Sequence, residues 1–456
     1  MLLFNALTVK KEKFRPLRKK IVRLYTCGPT VYDSAHIGNL RAYLFEDLLR
    51  RTLEYNGFRV KQVMNLTDID DKIIKRAKKE NKTVKEISQT YAKKFFKDIK
   101  KLNIEKAEVY PKATAHIKEI TGLIKKLLKK GYAYQGRDNS IYFNISKFKS
   151  YGRLSKLDKQ NLKIGSRIEA DEYNKEEAWD FALWKAKKPG EPFWPSPWGD
   201  GRPGWHIECS AMSMKYLGQT FDIHTGGVDN IFPHHENEIA QSEAATGKKF
   251  VNYWLHAEHL LVDNKKMSKS LANFFTLSDL ESRGFDPLAF RYLVLLTHYR
   301  AKLNFTWDTL EAAGNALNNL KDEIIHLKFK ASKEKNPKTD KKLATSCQKI
   351  FREALSDDLN SPQALAVIWQ LIKEPRLPAR QKLDLLGEFD RALGLNLARI
   401  KAPSIPQKIR KLAESRERFR NNQQFIQADQ LRKKIEGLGY MVEDTPSGAL
   451  VIKRRR

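Results

Sequence analysis

A strand, a loop, a helix and a second strand follow one another near the start of this 456-residue chain. Residues 21–25 are a short apolar run typical of a buried strand, and from Gly38 onward leucines recur every four residues, as on one face of a helix. Asn56 and Gly57 end that helix, and residues 58–66 have the composition of a second strand. The pattern predicts an α/β fold with a doubly wound, Rossmann-type parallel sheet whose ligand binds beyond the carboxyl ends of the strands.

Four potential metal ligands, Cys27, Cys209, His234 and Glu238, are spread over more than two hundred residues. Zinc-finger ligands cluster locally, so this spacing argues against a finger and favours a site where several loops meet. Pro233 is expected to open a helix that carries His234 and Glu238 on one face, although such a pair is also typical of a surface ion pair. The sequence leaves open whether His234 is replaced by another nearby histidine: His206, His224 or His235.

The chain is strongly basic and poor in cysteine. It has 85 Lys and Arg against 54 Asp and Glu, a net charge of +31, which indicates a polyanionic partner or a lysine-rich proteome. Three cysteines exclude a disulfide framework and favour a reducing compartment, so a cytoplasmic location is expected. We expect no membrane span, because no apolar run approaches 18 residues.

A candidate phosphate site lies at the entry to the first helix. His36 and Asn39 stand where unpaired backbone N–H groups and the helix dipole favour phosphate, and their side chains can donate hydrogen bonds. Lys266 and Lys269 lie three residues apart in a later loop, where two cations would neutralise the charge of a phosphate ligand. The chain has no P-loop motif, and the dinucleotide-like glycines of residues 199–204 follow prolines and tryptophans instead of a strand.

Three motifs carry a resemblance to a known family. They are residues 26–33 (TCGPTVYD) with residues 36–39 (HIGN), residues 65–72 (NLTDIDDK) and residues 266–270 (KMSKS). Together they resemble the cysteinyl-tRNA synthetases, which are class I aminoacyl-tRNA synthetases. The resemblance extends from Tyr25 to residues 443–448.

The resemblance implies an ATP-dependent enzyme that forms cysteinyl-adenylate and pyrophosphate and then transfers cysteine to the 3′-terminal ribose of tRNA-Cys. It implies Mg²⁺ with ATP, and one zinc ion that recognises the substrate thiol, for which two thiolates, an imidazole and a carboxylate are a suitable set. The implied metal ligands are Cys27, Cys209, His234 and Glu238. The residues implied in catalysis and ATP binding are His36, Asn39, Lys266 and Lys269. The residues implied in substrate binding are Gly28, Thr67, Trp205 and Asp229.

Five segments are expected: residues 1–105, the first half of the Rossmann catalytic domain; 106–200, an insertion; 201–275, the second half; 276–400, a stem-contact region and helical bundle; and 401–456, a small anticodon-binding domain. The last segment has 14 Lys and Arg against 6 Asp and Glu, in two basic helical stretches around Arg416 and Lys433. Phe419, Phe425 and Tyr440 are candidates to stack on bases.

The expected partners are tRNA-Cys, ATP and L-cysteine, with no membrane, and the chain is expected to act as a monomer. Two other functions compete with this interpretation. One is a ligase that passes activated cysteine to an amino sugar, which would not need the basic C-terminal segment. The other is an inactive paralogue that binds RNA in a zinc-dependent way, which the presence of His36, Lys266 and Lys269 argues against.

Overall fold

The computed structural model describes residues 1–157, 162–168, 178–267, 273–335, 337–401, 404–445 and 448–453. The α-helices are α1 (Ile37–Tyr55), α2 (Asp71–Glu80), α3 (Val84–Lys101), α4 (Ile117–Lys129), α5 (Trp205–Leu217), α6 (Glu236–Thr246), α7 (Leu277–Ser282), α8 (Pro287–Leu295), α9 (Trp307–Lys333), α10 (Lys341–Ser356), α11 (Ser361–Lys373), α12 (Ala379–Leu393), α13 (Gln407–Asn421) and α14 (Phe425–Gly437). The strands are β1 (Leu2–Asn5), β2 (Lys10–Lys13), β3 (Ile21–Thr26), β4 (Arg59–Met64), β5 (Ala133–Gln135), β6 (Ile141–Phe143), β7 (Leu162–Ile168), β8 (Ala178–Ala186), β9 (Gly201–Pro203), β10 (Phe221–Gly227), β11 (Val251–Ala257), β12 (Leu260–Val262), β13 (Lys265–Lys266), β14 (Leu303–Phe305), β15 (Tyr440–Thr445) and β16 (Gly448–Lys453).

The chain divides into two compact units. The first contains Met1–Gly314 and Arg352–Ala364, and the second contains Asn315–Phe351 and Leu365–Arg456. None of the helices in the described residues combines the length and apolarity that a membrane span requires.

A four-stranded parallel sheet, in the order β11, β10, β3, β4, is the centre of the first unit. The predicted strand, helix and second strand are β3, α1 and β4. The second half of the sheet, β10 and β11, lies on the other side of β3, so the chain runs outward in opposite directions from β3 and β10. This is the switch point where open α/β sheets bind their ligands. The prediction of a doubly wound parallel sheet is confirmed.

Helix α1 forms because its N-terminus is capped and its apolar residues share a face. Its N-cap is His36, and the His36 side chain accepts a hydrogen bond from the Asn39 backbone N–H while the Asn39 side chain accepts one from the His36 N–H. Leu40, Leu44 and Leu48 are buried, which fixes the helix on the sheet.

The insertion between β4 and β10 has its own sheet, in the order β5, β6, β8, β7, with β9 paired to β8. Its core is aromatic: the rings of Phe143 and Phe181 stack with centroids 5.2 Å apart, and Trp184 is fully buried beside them. Helix α4 covers this core with buried residues such as Ile120 and Ile124. The predicted split of the Rossmann domain is confirmed.

The helix that carries Glu238 begins later than Pro233, so the prediction of its start is wrong. Pro233 lies within a π-helical turn, Ile231–His235, and α6 begins at Glu236. Phe232 has an extended backbone (φ −139°, ψ 134°), because the residue before a proline disfavours the helical region.

The second unit contains most of α9, the first part of α10, all but the start of α11, helices α12 to α14 and a C-terminal hairpin. Helices α13 and α14 and the hairpin β15–β16 enclose a small core of Ile409, Ala413, Ile435 and Val442. Arg416 is fully buried, and its two terminal nitrogens donate to the Asp444 carboxylate over 2.6 and 2.8 Å. The Arg416 guanidinium therefore holds α13 to β15.

Candidate active site and metal centre

A cavity of about 530 Å³ lies at the carboxyl ends of β3, β10 and β11. Its walls come from the loop after β3, the first turn of α1, the start of α2 and the ends of β10 and β11. This volume lies within the range of roughly 300–1,000 Å³ that is usual for small-molecule sites. The cavity therefore stands where the strand order predicts a ligand.

A buried cluster of metal-ligand side chains opens into this cavity through Cys27. The ligand atoms of Cys27, Cys209, His234 and Glu238 all lie within 4.8 Å of one another. Each comes from a different element: the residue after β3, helix α5, the π-helical turn and helix α6. The last three side chains are buried. The structure thus brings together all four residues that the resemblance implies as metal ligands.

A second set of four residues meets the same distance criterion, and it contains Cys27, His224, His235 and Glu238. His224 Nε2 lies 2.9 Å from Glu238 Oε2, and His235 Nε2 lies 3.3 Å from the Cys27 sulfur. His206 belongs to neither set. Distances alone therefore leave open which histidine completes a metal site.

The ionisable groups of the cluster perturb one another strongly. A hydrogen bond from Cys27 lowers the pKa of Cys209 to about 6, against the opposing effect of burial. The same bond, together with burial, raises the pKa of Cys27 well above its usual value. Burial alone would lower the pKa of His234, but Glu238 and Cys209 raise it to about 10. Burial likewise opposes ionisation of Glu238, yet His224 and His234 hold its pKa below the usual value. The cluster therefore favours the ionised forms of Cys209 and Glu238, which are the forms that bind metals, and disfavours ionisation of Cys27.

Glu238 provides a further test of whether a metal fits. Its Oε1 lies 3.0 Å from His234 Nε2, but among the described residues no donor is aligned with this buried oxygen for a hydrogen bond. Such an atom costs stability unless something else satisfies it. Two sulfurs, one nitrogen and one oxygen are a borderline-soft donor set. The residues present therefore fit a zinc ion.

Gly28, Trp205 and Asp229 line the cavity, as the resemblance implies. The Trp205 ring stacks on His234 with centroids 4.3 Å apart. Thr67 is buried and is not part of the cavity wall; its hydroxyl donates to Glu208 Oε2 over 3.2 Å. Three of the four implied substrate residues thus meet at one surface, and Thr67 lies behind it.

His36 and Asn39 line the cavity at the N-terminus of α1. Because His36 Nδ1 accepts the Asn39 backbone N–H over 3.2 Å, the proton of the neutral ring is on Nε2. Lys266 is largely exposed, with its Nζ 3.9 Å from Asp229 Oδ1. Lys269 lies outside the described residues.

Comparison with known proteins adds sequence relationships to this geometry. The family profile for the class I (C) tRNA synthetase catalytic domain matches residues 13–315, and the DALR domain profile matches residues 350–398. The cysteine–tRNA ligase of Protochlamydia amoebophila (strain UWE25) is 46% identical over 467 residues, covering 99% of this chain and 98% of that protein. That of Brachyspira hyodysenteriae (strain ATCC 49526 / WA1) is 47% identical over 464 residues, covering 98% of each. The chain belongs to the cysteine–tRNA ligase family.

Solved structures of other class I synthetases share the fold of this cysteine–tRNA ligase family member. The Mycobacterium tuberculosis methionyl-tRNA synthetase in complex with methionyl-adenylate has a TM-score of 0.63 at 13% identity, covering 84% of this chain and 93% of that one. A LeuRS–tRNA–LeuAMS ternary complex from Agrobacterium radiobacter K84 has a TM-score of 0.60 at 11% identity, covering 85% and 86%. The likeness confirms a class I synthetase fold.

The structure also shows the place of Asp71, which belongs to the motif of residues 65–72 but received no role from the sequence. Asp71, in the first turn of α2, lines the cavity and is bound by Lys185 Nζ over 2.7 Å and by Arg202. Burial opposes ionisation of Asp71, but Lys185 and Arg202 hold its pKa below the usual value. Both cations are buried and come from the insertion, on β8 and β9. Local sequence carries no signal for this contact, because Lys185 and Arg202 lie more than a hundred residues from Asp71.

Proposed function

We propose that this chain activates L-cysteine with ATP, releasing pyrophosphate, and transfers the cysteinyl group from the adenylate to the 3′-terminal ribose of tRNA-Cys. The observation that carries the proposal is that one cavity is bordered both by a cluster of potential metal ligands with two cysteines and by the capped N-terminus of α1. Cys27 belongs to the first, and His36 and Asn39 belong to the second. Identity of 46–47% to cysteine–tRNA ligases, along nearly the whole chain, supports the same reaction.

We further propose that the cluster holds one zinc ion through Cys27, Cys209, His234 and Glu238. Serine differs from cysteine by one atom, so pocket shape alone gives only modest discrimination. A bound zinc ion would supply that discrimination by taking the substrate thiol as a thiolate ligand, which a serine hydroxyl is too weak an acid to imitate. The chain's part is to hold Cys27 at the cavity wall and to keep water and competing ligands away from the buried residues behind it.

On the phosphate side, the N-terminus of α1 contributes its dipole, His36 contributes Nε2–H and Asn39 contributes its side-chain amide N–H. These donors would orient the α-phosphate of ATP for in-line attack by the cysteine carboxylate, so that catalysis is mainly positioning and electrostatics. Lys266, and Lys269 in the same loop, would neutralise the leaving pyrophosphate. Mg²⁺ would accompany the ATP phosphates.

The remaining cavity residues would position the amino acid. Gly28 and Trp205 supply its walls, and Asp229 accepts its α-ammonium group. Thr67 acts through its neighbours, because its backbone N–H donates to the Pro29 carbonyl over 3.1 Å and so fixes the loop that follows Cys27.

For tRNA recognition we propose the segment of residues 401–456, in which α13 and α14 present basic side chains and Phe425 is 56% exposed. The proposed domain boundaries at residues 105, 200, 275 and 400 are those of the five segments expected from the sequence.

The three cysteines are free, which supports a reducing, cytoplasmic location. Action as a monomer stays a prediction.

Transfer of labelled cysteine to unfractionated tRNA, with ATP, Mg²⁺ and zinc present and serine as the control amino acid, tests the proposed reaction. We expect labelled tRNA with cysteine alone. Cysteine-dependent ATP–pyrophosphate exchange without labelled tRNA would indicate a small-molecule acceptor instead. An absence of exchange would contradict cysteine activation itself.

A further inference from the structure

A basic segment crosses the amino ends of the central strands, at the edge of the sheet opposite the cavity. We call residues 14–20 the strap. The Arg15 backbone N–H donates to the hydroxyl of Tyr253 in β11 over 3.1 Å. The Leu17 N–H donates to Asp222 Oδ1 over 2.5 Å, and Asp222 is a fully buried residue of β10. The strap therefore passes from β11 across β10.

The far end of the strap is held at β3 and β4. The Ile21 backbone N–H donates to the Arg18 carbonyl over 3.1 Å, which makes the turn into β3. The Arg59 N–H, at the start of β4, donates to the Lys20 carbonyl over 2.8 Å. The hydrogen bonds described on the strap side are made by its backbone, and the side chains of its four basic residues are exposed.

The strap and the neighbouring strand ends present exposed cations along one edge. They are Arg15, Arg18, Lys19 and Lys20 of the strap, Arg59 at the start of β4, and Lys248 and Lys249 just before β11. None of these seven forms an ion pair with another residue in the described part of the chain. Adjacent strands are about 4.8 Å apart, so the edge of the four-stranded sheet spans roughly 14 Å. Like charges this close together repel one another, and an external polyanion relieves that repulsion.

We propose that the strap edge is a binding surface for the phosphodiester backbone of RNA, separate from the catalytic cavity. This proposal goes beyond the proposed function, which uses residues at the carboxyl ends of the same strands. β3 has six residues, and at about 3.3 Å per residue the two edges lie roughly 20 Å apart. The exposed arginines suit phosphate because a guanidinium binds two of its oxygens together.

A nucleic acid fits this edge better than an anionic membrane surface. Membrane-surface binding relies on an amphipathic helix that buries a broad apolar face at the lipid interface. Here the cations lie on strand ends and on the strap, whose Phe14 is buried and whose Leu17 is 45% exposed. The recognition is of backbone charge, so we expect little dependence on base sequence.

The test uses the full chain with three cations removed, Lys19→Gln, Arg59→Gln and Lys249→Gln. The matched control removes three exposed cations of α3 that likewise form no ion pair with described residues: Lys93→Gln, Lys97→Gln and Lys100→Gln. Fluorescence anisotropy measures binding of a labelled uridine homopolymer RNA at several salt concentrations. Binding to vesicles of phosphatidylcholine and phosphatidylserine is measured in parallel, with exchange and tRNA charging as activity readouts.

For the strap variant we expect the slope of log K against log salt to become shallower by about 2, which is roughly 0.7 for each of three lost phosphate contacts. The control variant should keep the wild-type slope, and both should charge tRNA normally. Equal slopes in all three proteins would overturn the proposal. Loss of vesicle binding with unchanged RNA binding would show a membrane surface instead. A matching fall in tRNA charging with intact exchange would show that the edge serves the substrate tRNA and is not a separate site.

Discussion

Gly28 is the position where one added carbon is expected to do the most damage. A Cβ built on Gly28 would lie 1.8 Å from the backbone carbonyl oxygen of Asn65 and 2.9 Å from the Met64 side chain. Contacts of a Cβ below 3.0 Å are essentially never seen, so Gly28→Ala must open this approach by at least 1.2 Å, the difference between 3.0 and 1.8 Å. The obstacle is backbone at the end of β4, which cannot move aside as a flexible side chain can.

The expected effect on activity follows from that displacement. Gly28 follows Cys27 directly and lines the cavity, so a shift of about 1 Å moves both the pocket wall and a ligand of the proposed metal site. A misplacement of this size costs on the order of 100-fold in rate. Overpacking also lowers the free energy of unfolding by roughly 1–3 kcal/mol. The assay is kcat/KM for cysteine in ATP–pyrophosphate exchange, with thermal unfolding and bound zinc measured on the same samples.

Gly122 supplies the matched control. It lies within α4, and a Cβ there would meet nothing within 4 Å. Gly122→Ala should therefore retain wild-type exchange and gain up to about 1 kcal/mol of stability from the better helix propensity of alanine. A Gly28→Ala enzyme with wild-type kcat/KM and wild-type stability would refute the reasoning, because the close approach would then impose no constraint.

Three further changes have defined outcomes. Cys209→Ser should lower bound zinc and cysteine-dependent exchange together, whereas Cys347→Ser, outside the ligand cluster, should change neither; metal analysis and exchange decide this. Gly204→Ala, whose Cβ would lie 2.1 Å from the Ala182 carbonyl oxygen, should resemble Gly28→Ala in exchange and unfolding assays. Arg416→Ala should leave exchange intact but lower tRNA charging and destabilise the C-terminal hairpin by roughly 1–3 kcal/mol, because Asp444 loses both hydrogen bonds; charging that stays at the wild-type level would contradict this.

The central sheet could be predicted from the sequence because its signals are local. The leucines of α1 recur on one face, and Asn56 with Gly57 ends the helix, so β3, α1 and β4 follow from periodicity and turn chemistry. The insertion sheet could not be predicted in this way. Strands such as Ala133–Gln135 and Ile141–Phe143 have three residues each, too few to show a period, and their order depends on contacts between distant segments.

The candidate site was predicted mainly through motifs. His36 and Asn39 carry a local signal, because a polar pair at a helix start can cap it. Cys209 carries no local signal, because it lies in α5 among buried polar neighbours such as Glu208 and Ser210. Only the fold brings it close to Cys27. The contacts of Asp71 with Lys185 and Arg202 likewise join segments more than a hundred residues apart. Periodicity reports which face a helix buries, but it does not report which distant side chains meet there.

Close backbone contacts help to place both cysteines of the proposed metal site. Gly28 presses against the Asn65 carbonyl immediately after Cys27, and Gly204 presses against the Ala182 carbonyl at the start of the helix that carries Cys209. The Cys27 N–H also donates to the Thr225 carbonyl over 3.1 Å, which ties the first thiol to β10. Gly28 and Asn65 both belong to the first half of the split domain, whereas Gly204 and Ala182 join α5 to the insertion. Each glycine contact therefore positions one of the two thiols, which is why a change at either glycine should reduce metal content and cysteine activation together.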